Sequence, residues 1–271
     1  MRKKRGEIDM SDETFYQDHW REIEAERLAR YEVMFVFRPQ HEALLQPLQL
    51  ESGLQVVDYG CGPGFLAMEL ARRVGEKGRV FGFDINADFV ARASARTKDA
   101  NLTQLEFSQL SGAAMPLPDN SVDRLICKNV FEYVPDCVQT LAEQRRVLKP
   151  GGIIEIIDSD WGFVLVEPWG KSRTDAFFEA ARGAFNEFYI GRKLKGLLSA
   201  AGFQGVEVRI SASADTTGGG LNVITNMASY AQKFNTMSDE HLSMMIAELR
   251  DAIEVGNYLF VLPQFIVTGV K

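Results

Sequence analysis

The chain has 271 residues, of which 46% are hydrophobic, and it carries a formal net charge of −7. That length and apolar content suffice to bury a full core, either in one large domain or in one domain with a cap. The acidic balance argues against a broad nucleic-acid-binding surface. We interpret the single basic run, at residues 2–5 (RKKR), as a solvated tail.

The sequence predicts neither a membrane span nor a signal peptide. No apolar run reaches the roughly 18 residues needed to cross a bilayer, and no apolar stretch follows the N-terminal positive charges. The cysteines Cys61, Cys127 and Cys137 are odd in number and lack CxxC spacing, so neither a disulfide framework nor a metal site is predicted. We therefore expect a cytoplasmic protein without a bound metal.

The order of the predicted elements indicates an α/β fold. Residues 1–50 are predicted to be a helical preface, and from residue 56 onward strand-like and helix-like segments alternate, which is typical of a parallel sheet covered on both faces. Strands are predicted from residue 56 and at 80–84, 105–109, 123–127, 153–157, 206–210 and 258–270, with helices at 65–74, 86–98 and 135–148. The sequence therefore predicts a doubly wound, seven-stranded, mostly parallel, Rossmann-like sheet with helical cap elements.

This pattern divides the chain into three predicted parts. Residues 51–213 and 257–271 are predicted to form the core sheet, residues 1–50 an N-terminal helical lid, and residues 214–256 a helical insertion that caps the binding site. The insertion begins with a loose run ending in the glycines 218–220, interpreted as a hinge or as disorder, and becomes helical around residues 238–253.

Three glycines follow the first predicted strand at alternate positions, Gly60, Gly62 and Gly64. A strand, a glycine turn and a helix N-terminus let backbone N–H groups approach a ligand closely. The dinucleotide fingerprint G-x-G-x-x-G requires a third glycine where this chain has Phe65. Asp58, two residues before the first glycine, would repel a pyrophosphate but not a cationic or zwitterionic ligand. The turn therefore favours a nucleoside cofactor that carries a positive charge.

Asp84 ends the second predicted strand, twenty residues after Gly64. In a doubly wound sheet this position lies beside the first strand, where the ribose of a nucleoside would rest. A carboxylate there can accept hydrogen bonds from both ribose hydroxyls. The other interpretation is that Asp84 caps the following helix, although Asn86 is better placed for that.

These motifs resemble those of the class I S-adenosylmethionine-dependent methyltransferases. Residues 56–64 (VVDYGCGPG) resemble the first motif of that family, and Phe83-Asp84-Ile85 resembles its ribose-binding acid. Segments 114–123, 130–136 and 146–152 are similar to its later landmarks, so the resemblance covers about residues 50–160. Residues 191–203 and the final strand are similar to the small-molecule branch that includes ubiquinone- and menaquinone-biosynthesis enzymes.

The resemblance implies S-adenosyl-L-methionine as cofactor and S-adenosyl-L-homocysteine as product. The implied cofactor-binding residues are Asp58, Gly60, Gly62, Gly64, Asp84, Ile85, Ser111, Gly112 and Lys128. Ser111 stands where the family commonly has an aspartate, and it would hydrogen-bond the adenine amino group more weakly than a charged acceptor. Lys128 either pairs with the methionine carboxylate or extends outward to solvent. Tyr133 stands where the family usually has a histidine.

Methyl transfer from a sulfonium is an in-line displacement, so the protein mainly supplies alignment and a dry pocket. A general base is needed only if the nucleophile carries a proton. We predict Asp160 and Tyr133 as the catalytic residues, with Trp161 as a pocket wall, because they follow the fifth and fourth strands. The alternative for Asp160 and its neighbour Asp158 is that both are solvated loop acids that cap the next helix.

The histidines of the preface allow two interpretations. His19 and His41 either reach over the site as part of the lid or lie on the surface, as single histidines of an N-terminal helix more often do. Aromatic residues are frequent in the lid and in residues 169–189, which favours a partly apolar acceptor pocket, although many of these side chains are expected in the core.

The leading functional hypothesis is an enzyme that methylates an oxygen, nitrogen or carbon of a small, partly apolar or aromatic acceptor. The alternatives are a methyltransferase acting on RNA or protein and a non-catalytic scaffold that binds the cofactor. The acidic charge and the lack of a basic–aromatic stripe disfavour RNA. The sequence leaves a homodimer open.

Overall fold

The computed structural model describes residues 14–271. Within them, the chain forms nine strands and ten α-helices. The basic run at residues 2–5 and the start of the predicted lid lie outside these residues. The strands are β1 (Gln55–Tyr59), β2 (Arg79–Asp84), β3 (Leu105–Gln109), β4 (Val122–Lys128), β5 (Leu148–Ser159), β6 (Leu165–Glu167), β7 (Gln204–Ser211), β8 (Leu259–Val261) and β9 (Gln264–Val270). The helices are α1 (Phe15–Arg21), α2 (Ala25–Met34), α3 (Glu42–Leu45), α4 (Phe65–Val74), α5 (Ala87–Asp99), α6 (Cys137–Val147), α7 (Gly170–Ala180), α8 (Ile190–Ala200), α9 (Leu221–Lys233) and α10 (Asp239–Val255).

The main sheet has seven strands in the order β3-β2-β1-β4-β5-β9-β7. Strands β1 to β5 are parallel, and β9 runs antiparallel to both of its neighbours, β5 and β7. The prediction of a seven-stranded, mostly parallel, Rossmann-like sheet is therefore confirmed. Because the chain reverses its direction of travel across the sheet at β1, the carboxyl ends of β1 and β4 form the crevice where this architecture binds ligands.

The predicted strand at residues 258–270 is wrong in one respect, because it is two strands. Pro263 lies between β8 and β9, and a proline cannot donate a hydrogen bond to a strand ladder. As a result, β8 leaves the main sheet and pairs with β6 in a separate two-stranded sheet, while β9 fills the place between β5 and β7.

Capping side chains fix the starts of three helices. Asn86 accepts a hydrogen bond from the Phe89 backbone N–H (2.8 Å) at the start of α5, and Asp136 accepts one from Gln139 N (2.9 Å) at the start of α6. Ser238 does the same for α10. These bonds satisfy N–H groups that have no partner inside the helix. The Asn86 cap agrees with the prediction, and α6 begins two residues later than predicted because Asp136 occupies the cap.

A second apolar core lies in the cap. It joins α1, residues 161–188, α9, α10 and the region around β8, so the segment that holds β6 and α7 shares a core with the predicted lid and insertion. Its large buried members are Phe15, Trp161, Trp169, Phe177, Phe178, Phe185, Tyr230, Leu249 and Phe260. Phe15 of the predicted lid therefore packs with the insertion. Leu45 and Leu48, which also belong to residues 1–50, instead pack in the core of the main sheet with Val56 and Ile126, so the prediction of a single lid over residues 1–50 is wrong for the end of that segment.

The glycine run at residues 218–220 is an ordered turn, so the interpretation as disorder is wrong. The Asp215 carboxylate accepts hydrogen bonds from the backbone of Thr217 (2.9 Å) and Gly220 (2.7 Å) and from the Tyr258 hydroxyl (3.2 Å). Asp215 also pairs with the backbone of Phe260. A single carboxylate thus ties the start of the insertion to β8. Within residues 14–271, no helix has the length and apolar character needed to cross a membrane.

Candidate active site

The glycine turn after β1 has a conformation that only glycine adopts easily. Gly60 has φ of +77°, and a Cβ atom there would lie 2.2 Å from Cγ2 of Val130. Gly64 has φ of +84°, and its Cβ would lie 2.7 Å from the Ala93 side chain on α5. The backbone N–H of Gly60 donates to the carbonyl of Phe83 on β2 (2.7 Å). The turn is therefore packed against both neighbouring elements and kept narrow.

A cavity of about 450 Å³ opens at the carboxyl ends of β1, β2 and β4. Eight of the nine predicted cofactor-binding residues line it: Asp58, Gly60, Gly62, Asp84, Ile85, Ser111, Gly112 and Lys128. The exception is Gly64, which lies behind the turn as the N-cap of α4. The predicted catalytic Tyr133 also lines the cavity, whereas Asp160 does not.

Asp84 connects β2 to the glycine turn. One carboxylate oxygen accepts a hydrogen bond from Gly62 N (2.7 Å), and the other accepts one from Asn86 N (2.8 Å). Burial raises the pKa of Asp84 to about 6, although these backbone bonds favour the carboxylate. Each oxygen keeps a second lone pair, so the side chain retains capacity to accept from a ligand in the cavity.

Asp58 and Lys128 bring opposite charges to the same cavity, and neither is neutralised by a direct ion pair within the described residues. Asp58 is 1% exposed, and its buried Oδ2 has no hydrogen-bond partner in the part of the chain that the structure describes. Burial and the nearby Asp84 raise the pKa of Asp58 to about 7. Burial lowers the pKa of Lys128, while Asp158, Glu132 and Asp58 favour its ammonium form. A ligand with both an ammonium and a carboxylate group would complete this arrangement.

Tyr133 lies in an aromatic wall on the cap side of the cavity. Its ring stacks on Phe185, with centroids 5.2 Å apart, and meets Trp20 edge-on at 5.0 Å. Burial and the Glu132 carboxylate raise the pKa of Tyr133 well above its usual range. The tyrosine is therefore neutral near pH 7, so its hydroxyl can donate a hydrogen bond but does not serve as a ready base.

Asp160, predicted as the first choice for a base, lies in an ion pair outside the cavity. It is completely buried, and its two oxygens accept from Nε (2.5 Å) and Nη2 (2.6 Å) of Arg192 on α8. Its Oδ1 also accepts from Gly162 N (3.1 Å), which caps the 3-10 turn over Trp161–Phe163. The capping alternative thus describes its contacts, except that Asp160 is buried rather than solvated.

The neighbours of Asp160 also have structural partners. Asp158 is completely buried and accepts from Phe131 N (2.8 Å) and Ser159 N (3.0 Å), which joins β5 to the segment after β4. Contrary to the prediction, Trp161 does not line the cavity. It lies in the cap core and donates a hydrogen bond from Nε1 to the Glu132 carboxylate (2.7 Å). These contacts hold the floor of the cap against the ends of β4 and β5.

The two histidines of the preface occupy different environments. His19 is 3% exposed, so the surface interpretation is wrong for it; its Nδ1 lies against the Phe15 carbonyl and its Nε2 lies 3.1 Å from the Tyr230 hydroxyl. Burial lowers the pKa of His19 to about 4. His41 lines the cavity, where burial and the charge of Lys128 lower its pKa. His19 therefore joins α1 to α9, and of the two histidines His41 is the one that faces the site.

Two polar groups of the cavity wall were not singled out from the sequence. Among residues 14–271, Trp20 Nε1 and Asn129 Oδ1 are buried and find no hydrogen-bond partner, and both residues line the cavity. Asn129 directly follows β4 and has φ of +55°, in the left-handed region. An unpaired buried donor and an unpaired buried acceptor are groups that a bound molecule would satisfy. In the sequence, the only signal for either group is the preference of asparagine for the left-handed backbone conformation.

Comparisons with known proteins agree with this arrangement. The profile of the family described as "Methyltransferase domain" matches residues 50–194. A demethylmenaquinone methyltransferase of Listeria welshimeri is 30% identical over 142 residues, which cover 52% of this chain and 59% of that protein, so the match spans less than two thirds of this relative. The demethylmenaquinone methyltransferase of Staphylococcus saprophyticus is 31% identical over 185 residues, with 61% of this chain and 77% of that protein covered.

Solved structures share the fold. Phosphoethanolamine N-methyltransferase 2 of Haemonchus contortus, in complex with S-adenosyl-L-methionine, superposes with a TM-score of 0.63 at 16% identity. The superposition covers 94% of this chain and 60% of that one. At this identity the likeness concerns the fold alone.

Proposed function

The chain belongs to the methyltransferase-domain family, and we propose that it transfers a methyl group from S-adenosyl-L-methionine to a small, partly aromatic acceptor. The observation that carries the proposal is the cavity at the ends of β1, β2 and β4, where Asp58, Asp84 and Lys128 are placed beside a narrow glycine turn. These groups match the charges of an amino-acid nucleoside and leave no obvious place for a pyrophosphate.

Each group has a distinct role in the proposed complex. Asp84 would accept hydrogen bonds from the ribose hydroxyls through the lone pairs not used by Gly62 and Asn86. Asp58 would face the α-ammonium and Lys128 the α-carboxylate of the methionine portion. This fits the unpaired Oδ2 of Asp58 and the lack of an ion pair for either side chain within the described residues. Ile85, Ser111 and Gly112 would border the adenine, Ser111 by a neutral hydrogen bond.

When bound, the cofactor supplies an electrophilic methyl group on sulfur. The contribution of the chain is then to orient the acceptor and to exclude water. Trp20 and Tyr133 form an aromatic wall on the cap side, and Trp20 Nε1 is a free donor there. We assign Tyr133 the role of hydrogen-bond donor that positions the acceptor. We assign Asp160 a structural role, because its carboxylate is occupied by Arg192.

The N-terminal lid and the insertion would close over the acceptor together. His19 contacts Tyr230 on α9, and the Tyr31 hydroxyl donates to Asn226 Oδ1 (3.2 Å) on the same helix. These bonds keep α1 and α2 beside the insertion, where they bring Trp20 and Phe35 to the cavity wall. An enclosed aromatic site suits a small molecule better than a polynucleotide or a folded protein.

Two measurements test the proposal in sequence. Isothermal calorimetry should detect binding of S-adenosyl-L-methionine and of S-adenosyl-L-homocysteine, and absence of both would overturn the assignment. Transfer of a labelled methyl group should then be measured with a panel that includes a demethylmenaquinone analogue, other phenols and quinols, phosphoethanolamine and RNA. Labelling of an aromatic small molecule supports the proposal, labelling of RNA would contradict it, and binding without any transfer would indicate a non-catalytic scaffold.

A further inference from the structure

One edge of the main sheet is long and open. Strand β7 has eight residues and pairs only with β9 within the described chain; this pairing is irregular between Gln204 and Glu207 and regular over residues 207–211. The strand contains neither proline nor lysine. The opposite edge strand, β3, has five residues. Long edge strands present unpaired N–H and C=O groups that can pair with another strand, and proteins usually protect them.

The side chains of β7 are exposed on both faces. Val208 is 39% and Ile210 57% exposed, and both lie on the same face as Val206, which packs against the core beneath α8. The opposite face carries Glu207 and Arg209, both exposed. Neither of these charged residues forms an ion pair with any residue from 14 to 271.

We propose that β7 pairs antiparallel with the β7 of a second copy of this chain, in the register that places Val208 opposite itself. In this register a two-fold axis passes through Val208. Residue 207 of one copy then lies opposite residue 209 of the other, and residue 206 lies opposite residue 210. Glu207 of one copy then faces Arg209 of the other, twice, and Val206 faces Ile210, twice. Opposite charges and apolar residues directly across two strands both stabilise the pair.

The neighbouring registers are disfavoured by charge. An axis through Glu207 would place Glu207 opposite itself, and an axis through Arg209 would place Arg209 opposite itself. Like charges directly opposite each other destabilise an antiparallel pair. A shift by a single residue is excluded, because a two-fold axis normal to the sheet requires facing residues to point to the same side. The sequence EVR at the centre of β7 is therefore complementary to itself in one register.

Apolar surface beside β7 adds to the interface. Ile210 lies opposite Phe265 on β9, and the ring of Phe265 contacts that of Phe163, which is 50% exposed. Phe265 itself is buried, so the exposed apolar patch consists of Ile210 and Phe163, which lie on either side of it. A dimer in the proposed register would cover the Ile210 end of this patch and join two seven-stranded sheets into one continuous sheet.

The test uses charge reversal and measures mass by sedimentation over a concentration series. The unmodified protein should be a dimer that dissociates on dilution. Arg209→Glu and Glu207→Arg should each weaken the dimer at least tenfold, since each replaces two favourable pairs by two repulsive ones. Lys77→Glu and Glu76→Arg are matched controls, because they make the same charge changes at exposed residues far from β7 and should leave the dimer unchanged.

The decisive sample is an equimolar mixture of the two β7 variants. Across this mixed interface, Glu207 of the first variant faces Arg209 of the second, and the glutamate introduced in the first faces the arginine introduced in the second. The mixture should therefore form a heterodimer although neither variant dimerises alone. Because Arg209 also lies near the buried Glu155, circular dichroism should first show that each variant is folded. A monomeric unmodified protein, a dimer that survives both reversals, or a mixture that stays monomeric would each overturn the proposal.

Discussion

The carboxylate of Asp84 accepts a hydrogen bond from the backbone N–H of Gly62 at 2.7 Å, so the acid at the end of β2 holds the glycine turn at the end of β1. The same carboxylate is proposed to bind the cofactor ribose. Asp84 therefore has a conformational role and a proposed binding role, and both depend on its carboxylate.

Asp84→Ala should weaken S-adenosyl-L-homocysteine binding by about 1.5–3 kcal/mol, because it removes a charged acceptor from the ribose. Asp84→Asn keeps one acceptor oxygen and should lose less binding free energy, as measured by calorimetry. Asp99→Ala, the same change at an exposed aspartate outside the cavity, is the control for general damage. Unchanged affinity in Asp84→Ala would exclude the ribose role.

Lys128→Met should weaken S-adenosyl-L-homocysteine binding by roughly tenfold or more, because a charge-assisted bond to the α-carboxylate is lost. 5′-Methylthioadenosine lacks the amino-acid portion, so its affinity should stay the same in the variant. Both ligands are measured by competition calorimetry on the same samples. Equal losses for the two ligands would show that Lys128 acts on the pocket as a whole and does not bind the carboxylate.

Tyr133→Phe should lower kcat about tenfold for the acceptor identified in the labelling panel, with little change in cofactor affinity, because only a hydrogen-bond donor is removed. The ring and its stacking on Phe185 remain. Since the pKa of Tyr133 is well above its usual range, the activity of the unmodified enzyme should show no alkaline limb that disappears in the variant. Such a limb would mean that the phenolate takes part.

Asp160→Asn should destabilise the fold by about 1–2 kcal/mol in urea unfolding, because the charged half of a two-point bond to Arg192 is lost. The loss is moderate because the Arg192 side chain is 47% exposed and can turn to solvent. Cofactor affinity and kcat should be nearly unchanged at a temperature where the variant is folded. A loss of turnover by about a hundredfold in the folded variant would restore Asp160 as a candidate base.

Glu155 gives the fold a measurable pH dependence. It is completely buried in β5, and neither carboxylate oxygen has a hydrogen-bond partner among the described residues. Burial raises its pKa from 4.5 to about 8. A raised folded-state pKa means that the neutral form stabilises the fold at low pH, and that this contribution declines from about pH 4.5 and is lost by about pH 8.

Glu155→Gln, which stays neutral, should remove that decline. Relative to the unmodified protein, the variant should become more stable as the pH rises from about 5 to about 9, by a few kcal/mol, since a difference of one in pKa between the folded and unfolded states corresponds to about 1.4 kcal/mol. Urea unfolding at both pH values measures this. Glu106→Gln, an exposed glutamate on β3, is the control, and parallel pH profiles for the protein and the Glu155 variant would contradict the prediction.

The sequence was most informative where local rules and fold agree. The glycine turn, Asp84 and the apolar strands β1 and β4 depend on short-range patterns, and the structure places them as predicted. Asn86 is predicted as a helix cap because the side-chain oxygen of asparagine accepts readily from a backbone N–H of the first helical turn. These features lie at the cavity that is proposed to bind the cofactor.

The cap side of the cavity, proposed to hold the acceptor, was harder to predict from the sequence because its contacts join distant parts of the chain. Asp160 and Arg192 are 32 residues apart along the chain, Trp161 and Glu132 are 29 apart, and no local pattern signals either bond. Periodicity likewise did not show that Pro263 would send β8 to a different sheet from β9. Where pairing over long distances decides the outcome, a side chain such as Asp160 can stand in the expected place and still point away from the cavity.

The shared aromatic core of the cap has a consequence for how acceptor preference can change. Phe15 of the lid, Phe177 of residues 161–188 and Tyr230 of the insertion pack in one cluster, so none of the three segments has a hydrophobic face that is complete by itself. Exchanging one segment with a relative would leave rings without neighbours and cost stability before any new acceptor was gained. Acceptor preference in this chain should therefore transfer to another sheet only when all three segments are moved as a single unit.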